Sequence, residues 1–252
     1  SITTARTGAS AKANELGMRA MQERAYAKRG EQYLLIKSPP ASGKSRALMF
    51  IALDKLHNQG LQQAIVVVPE RSIGGSFADE ALTQHGFYWD WQVAPQWNLC
   101  NAPGVDEPRV AKSKVEAVKK FLASGDKVLV CTHATFRFAV EELGIQAFDN
   151  RLIAVDEFHH VSANPDNKLG SQLGAFIARD KVHVVAMTGS YFRGDSEAVL
   201  APADEGKFET VTYTYYEQLN GYRWLKSLDI GCFFYTGRYV DAVAKVLDPG
   251  LK

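Results

Sequence analysis

Two short segments carry residue types suited to phosphate chemistry. Ser38-Pro39-Pro40-Ala41-Ser42-Gly43-Lys44-Ser45 ends in a Gly-Lys-Ser triplet. A glycine there lets the backbone approach a bound group where a side chain would collide. The lysine can pair with β and γ phosphates, and the serine hydroxyl can ligate Mg²⁺. The triplet follows the apolar run Tyr33-Leu34-Leu35-Ile36 and precedes a helix-forming stretch at 46–57. Backbone N–H groups and the dipole at such a helix start favour an anion. The second segment is Asp156-Glu157-Phe158-His159, directly after Leu152-Ile153-Ala154-Val155. Strand ends line the ligand crevice in open α/β sheets. There Asp156 would hold Mg²⁺, directly or through water, and Glu157 would orient and deprotonate an attacking water. Each segment also has a plainer reading, as a chance Gly-Lys-Ser in a loop or as acids at a solvated helix start. The strand-loop-helix context of the first, and the presence of both, favour phosphate chemistry.

Such residues need a rigid frame. Apolar, β-branched runs at 33–36, 64–68, 127–131, 152–155 and 182–187 read as strands. Helical stretches are expected at 11–28, 46–57, 110–123, 135–143 and 169–179. Near-continuous apolar strands separated by helices indicate an α/β fold with a mostly parallel sheet and helices on both faces. Residues 87–108, with Phe87, Tyr88, Trp89, Trp91 and Trp97, break the rhythm and read as an insertion or irregular hairpin. Those rings have the chemistry to stack on bases, although packing against the domain is the commoner fate of such a cluster. Residues 208–216 alternate as a strand does, and 231–235 followed by 238–247 reads as one more strand-helix pair. The domain reading is a disordered lead-in at 1–10, an ATP-binding domain at 11–206, and a linker with the start of a truncated second domain at 207–252.

The order of the segments resembles a known family. Asp156-Glu157-Phe158-His159 resembles the Asp-Glu-x-His box of superfamily 2 helicases and translocases. Arg19-x-x-Gln22 resembles the adenine-reading element of the restriction-enzyme-like branch, and a glutamine amide can both donate to and accept from a base edge. Val67-Val68-Pro69-Glu70-Arg71 resembles motif Ia, Cys131-Thr132-His133-Ala134-Thr135-Phe136 motif Ib or its neighbour, and Thr188-Gly189-Ser190 motif III. The resemblance covers residues 15–195 and extends weakly to Cys232-Phe233-Phe234-Tyr235-Thr236-Gly237-Arg238. This chain departs from the pattern in having Ser38 for the first loop glycine, Glu70 for the commoner threonine and Gly189 for the usual alanine.

The resemblance implies a RecA-like P-loop domain that uses ATP and Mg²⁺ and moves on DNA or RNA. It also implies a second RecA-like domain in the same full-length chain, carrying arginine fingers. The expected nucleotide contacts are Arg19, Gln22, Pro40, Ala41, Ser42, Gly43, Lys44, Ser45 and Arg46. Lys44, Asp156 and Glu157 would be catalytic, with Ser45 and Asp156 holding the metal. His159, Thr188 and Ser190 would couple the nucleotide state to domain closure. Arg71, Ser72, Thr132 and Arg137 are candidates for contacts to a nucleic-acid backbone.

Composition sets limits. The 252 residues are 46% hydrophobic, enough for a real core, and the net charge of +1 provides no global field toward a polyanion. Any nucleic-acid contact must therefore be local. Lys112, Lys114, Lys119 and Lys120 form a basic face on one helix, a pattern that is usually solvated. The three cysteines form no CxxC pair, which argues against zinc and disulfides and for free thiols in a reducing cytoplasm. No apolar run reaches the ~18 residues that would suggest a membrane span. Two rival functions remain on these residues: a P-loop ATPase switch that moves no nucleic acid, and a nucleotide-binding module with hydrolysis weakened by Ser38. As half of a composite site, the isolated chain is expected to hydrolyse ATP poorly.

Overall fold

The computed structural model describes residues 2–4, 14–69, 76–100, 108–161, 168–189, 200–221 and 228–230. In chain order the elements are β1 (Ile2–Thr4), α1 (Ala20–Tyr26), β2 (Tyr33–Lys37), α2 (Lys44–Asn58), β3 (Ala64–Val68), α3 (Pro108–Ala123), β4 (Val128–Thr132), α4 (His133–Leu143), β5 (Leu152–Val155), α5 (Lys168–Arg179), β6 (His183–Thr188), α6 (Pro202–Glu205), β7 (Glu209–Thr212), α7 (Tyr215–Gly221) and β8 (Leu228–Ile230).

Six strands form one sheet in the order β4-β3-β5-β6-β2-β7, with every pairing parallel. The sequence dictates this arrangement through burial. All five residues of β3 and of β4 are buried, as expected of strands covered on both faces. Alternate residues feed two cores. Leu34, Ile36, Val66 and Val68 pack with Met21, Ala47 and Phe50 from α1 and α2. Leu35, Ile65, Val67 and Cys131 pack with Phe121, Phe136 and Phe176 from α3, α4 and α5. Burying a large apolar side chain stabilises the fold by about 1.5–3 kcal/mol, so these two layers hold the sheet rigid beneath its loops.

A polar tie crosses the first layer. Lys55 is fully buried in α2, and its Nζ donates to the Glu31 carbonyl at 2.7 Å and to His183 Nδ1 at 2.8 Å. Burial lowers the Lys55 pKa to about 8. Burial, and then the Lys55 charge, lower that of His183 to about 4.

Several expectations change. The first helix begins at Ala20, not near residue 11. Asn14 Oδ1 accepts from the N–H groups of Leu16 and Met18, and Gly17 sits at φ +72°. A local side-chain turn therefore competes with helix there. The sheet also continues past residue 206. β7 pairs with β2 from Leu34↔Glu209 to Lys37↔Thr212, and the larger compact unit runs Ala11–Gly221. Residues 207–221 thus belong to that unit, because Val211 and Tyr213 are buried in its core. A smaller unit comprises Ser1–Ser10 and Tyr222–Lys252. Within it, Ile2–Thr4, expected to be disordered, pairs antiparallel with Leu228–Ile230. The strand-helix pair expected at 231–247, which holds most of the weak motif at 232–238, lies outside the described residues, as do Glu70, Arg71, Ser72 and Ser190.

Phe87 and Trp91 of the aromatic segment pack into the domain, while Tyr88 is 36% exposed. Trp91 is fully buried and donates its indole N–H to the Phe77 carbonyl at 3.1 Å. Phe87 sits edge-on to Phe50, with ring centroids 4.9 Å apart. Tyr88 donates its hydroxyl to Asp54 Oδ2 at 2.7 Å. The basic face of α3 is likewise incomplete: Lys112, Lys119 and Lys120 are exposed, whereas Lys114 is buried.

Candidate nucleotide site

Because β2, β3, β4, β5 and β6 run parallel, their carboxyl ends share one edge. β6 lies between β5 and β2 in the sheet, so the segments after these three strands are neighbours. They carry the phosphate loop, the acidic pair and Thr188-Gly189.

The loop closes on itself through the residue that replaces the expected glycine. Ser38 is 1% exposed, its N–H donates to the Thr188 carbonyl at 3.1 Å, and its Oγ donates to Ser42 Oγ at 2.6 Å. Gly43 adopts φ +90°, and a Cβ there would stand 2.5 Å from Gln22 Nε2. Glycine is required on both counts. Lys44 opens α2 and is largely buried, with Nζ donating to the carbonyls of Ser38 at 3.1 Å and Pro39 at 3.2 Å. Burial lowers its pKa, against the opposing charges of Glu157 and Asp156. Gly189 also has a local reason. A Cβ there would lie 3.3 Å from Lys44 Nζ and 3.6 Å from the Pro40 ring, so the motif III position is packed against the loop lysine.

The acidic pair continues β5. The Asp156 N–H donates to the Val67 carbonyl at 2.8 Å, and the Glu157 N–H donates back to Asp156 Oδ1 at 2.9 Å. Glu157 adopts φ +49°, an uncommon conformation for a residue other than glycine, which turns the chain sharply after the strand. Asp156 is 5% exposed, and burial, then the neighbouring Glu157 charge, raise its pKa to about 6. His133 Nε2 lies 3.0 Å from the Asp156 carbonyl, a contact with no signal in the sequence pattern. His159 Nδ1 lies 3.0 Å from Thr188 Oγ1 and 3.3 Å from Glu157 Oε2. The carboxylate, imidazole and motif III hydroxyl therefore meet.

Gln22 stands behind the loop. It is 1% exposed; its Nε2 donates to the Gly43 carbonyl at 3.1 Å, and its Oε1 accepts from the Arg19 N–H at 2.8 Å and from Arg46 Nη1 at 3.3 Å. Arg46 also donates to the Gly17 carbonyl at 2.7 Å and pairs with Glu80 at 3.5 Å.

A cavity of about 390 Å³ opens here, within the usual size of a small-molecule site. Arg19, the loop residues Pro40, Ala41, Gly43, Lys44 and Ser45, and the acids Asp156 and Glu157 all line it. Ser76 joins them unanticipated. Gln22, Ser42 and Arg46 are not in the lining. A larger cleft of about 530 Å³ is lined by Asp79, Asp90 and Asp126 among others. Those acids disfavour phosphate, so size does not identify the nucleotide site. Thr132 is buried, and its Oγ1 caps α4 by accepting from the Thr135 N–H at 3.2 Å. The Arg137 guanidinium lies 4.7 Å from the centroid of the Phe138 ring.

Among the described residues no cluster of three or more His, Cys, Asp or Glu side chains forms a metal cage. The cavity instead offers a few oxygen donors, Ser45 and Asp156 among them. A hard cation that keeps waters and phosphate oxygens in its shell fits such a set. A buried carboxylate raised toward neutrality also gains from a cation.

A family model described as DEAD/DEAH box helicase matches residues 19–194. "Putative ATP-dependent helicase YeeB" of Bacillus subtilis (strain 168) is 56% identical over 246 residues, covering 98% of this chain and 40% of that protein. The chain thus spans about two fifths of that curated relative's length. The Pyrococcus furiosus Hef helicase domain matches 81% of this chain and 40% of its own at 17% identity, with a TM-score of 0.49. The UvsW helicase from bacteriophage T4 matches 81% of this chain and 63% of its own at 15% identity, with a TM-score of 0.47. No helix among the described residues is long and apolar enough to cross a membrane.

Proposed function

Because this chain belongs to the DEAD/DEAH box helicase family, we propose that it is the ATP-binding and hydrolysing half of a motor that moves on DNA or RNA. The observation that carries this reading is the single cavity lined by Lys44, Ser45, Asp156 and Glu157. Lys44 holds the β and γ phosphates, leaving the Ser38 and Pro39 carbonyls it now binds. Ser45 and Asp156 hold Mg²⁺, which, when bound with the nucleotide, neutralises charge on the transferring phosphoryl. Glu157 positions and deprotonates the attacking water. Arg19 forms the base side of the cavity, with Gln22 behind it. His159 and Thr188, with Ser190, pass the state of Glu157 to a second RecA-like domain of the full-length protein. Thr132 and Arg137 at α4 would follow a nucleic-acid backbone, and so, by the family pattern alone, would Arg71 and Ser72. For Thr132 the support is positional, since its hydroxyl caps α4. The buried free thiols Cys100 and Cys131 suit a cytoplasmic setting.

The test is ATP turnover by the full-length protein with and without single- and double-stranded DNA and RNA. Nucleic-acid-stimulated hydrolysis that Lys44→Ala abolishes supports the motor. Turnover indifferent to every nucleic acid would replace it with a switch-type ATPase, and turnover unchanged by Lys44→Ala would remove the site assignment.

A further inference from the structure

The last helix of the larger unit touches both the phosphate loop and α1. Gln218 Nε2 on α7 donates to the Pro40 carbonyl in the phosphate loop at 3.2 Å. The preceding residue, Glu217, pairs through Oε1 with Arg24 Nη2 on α1 at 2.7 Å. Arg24 Nη1 also donates to the Thr212 carbonyl at 2.8 Å, and its guanidinium lies over the Tyr213 ring at 5.3 Å. Glu217 Oε2 accepts from the Thr214 N–H at 2.8 Å. The Arg24 bond, and next the Thr214 N–H, hold the Glu217 carboxyl down at about 2, so it stays ionised at any working pH. α7 is thereby pinned to α1, the helix whose Gln22 reaches Gly43, while its own Gln218 reaches Pro40.

Pinning a carbonyl has a geometric consequence. A trans peptide is planar, with its C=O and N–H antiparallel. Holding the Pro40 carbonyl toward α7 therefore turns the Ala41 N–H away from α7, on the stretch of loop that lines the nucleotide cavity. Loop N–H groups are the donors that cradle phosphates.

We infer that Gln218 is a positioning residue for ATP: held by the Glu217–Arg24 pair, it presets the Pro40–Ala41 peptide of the phosphate loop for phosphate. The inference rests on the nucleotide reading above and adds the element that shapes the loop. The Arg24–Glu217 pair is half-exposed, with side-chain exposures of 45% and 34%. Such pairs contribute little to global stability, so the effect belongs on nucleotide affinity and not on folding.

The experiment titrates fluorescent ATP into the wild-type chain and into Gln218→Ala, Arg24→Glu, and the exchange pair Arg24→Glu with Glu217→Arg, with thermal midpoints recorded with and without ATP. Loss of one hydrogen bond predicts an affinity about 3- to 10-fold weaker for Gln218→Ala. Its nucleotide-free midpoint should match wild type, and its ATP-induced rise should shrink. Arg24→Glu should lose affinity and the exchange pair should regain it. Wild-type binding with unchanged Gln218→Ala affinity overturns the positioning role alone. Wild-type affinity in Arg24→Glu also overturns it. No ATP binding by the wild-type chain overturns the nucleotide reading, and the positioning role with it.

Discussion

At the residue scale the site depends on a side chain set by unusual backbone. Glu157 sits at φ +49°, directly after a buried aspartate and within 3.3 Å of His159. Its proposed task is to order and deprotonate water, not to grip nucleotide. Glu157→Gln is therefore expected to keep ATP affinity within about 2-fold while cutting turnover by ~10²-fold or more, the scale of general-base catalysis. Single-turnover hydrolysis alongside a binding titration checks this, and a parallel loss of affinity would reassign the residue to binding. That these residues line one cavity was legible because residue type and order alone mark them: Gly-Lys-Ser after a strand, and two acids after another. The departures at Ser38 and Gly189 were not. Ser38 closes the loop through Ser42, and Gly189 leaves room for Lys44. Both reasons depend on contacts between segments far apart in sequence.

At the scale of elements, the five strands β2 to β6 were read to within a residue because complete burial writes itself as apolar runs, whereas the strand expected at 208–216 ends at Thr212. The start of α1 was missed because the Asn14 turn outcompetes a run of good helix formers. The tie between α2 and β6 was also invisible, since nothing marks Lys55 and His183 as partners. Its pH behaviour follows from burial. His183 is depressed from its ordinary 6.5 to about 4, so the folded state refuses a proton that the unfolded chain accepts. Above pH 6.5 the group contributes no pH dependence. As pH falls from 6.5 toward 4, stability is lost, and below that the loss is complete. His183→Gln keeps an acceptor for Lys55 without titrating. Urea midpoints at pH 7.5, 5.5 and 4.5 should therefore fall less steeply for this variant than for wild type. Equal slopes would mean that other groups govern the acid limb.

At the scale of the whole molecule, the sheet ends at β7. Alternation marks the strand in sequence but not its place in this sheet, because only Val211 of the four strand residues is buried. A chain cut after residue 206 would lose β7 and the α7 contacts, leaving β2 with an unpaired edge beside the phosphate loop. Unpaired edges invite association. Residues 11–221 should give a monodisperse, cooperatively unfolding species, and 11–206 one that aggregates or melts at lower temperature. Size-exclusion chromatography and thermal scans compare the two. Equal behaviour would return residues 207–221 to the role of a linker.

The hydrogen bonds of Gln22 bear on which nucleotide the protein selects. An amide oxygen has two lone pairs, and those of Gln22 accept from Arg19 and Arg46; one of its two N–H groups is held by Gly43. A single donor remains, in a side chain that is 1% exposed. Without an acceptor for the adenine amino group, it has no means to prefer adenine over guanine until Arg46 lets go. Gln22→Ala should therefore weaken ATP and GTP by the same factor, by loosening the loop they share. A loss confined to ATP in competition titrations would show that Arg46 does release the amide and that the base is read after all.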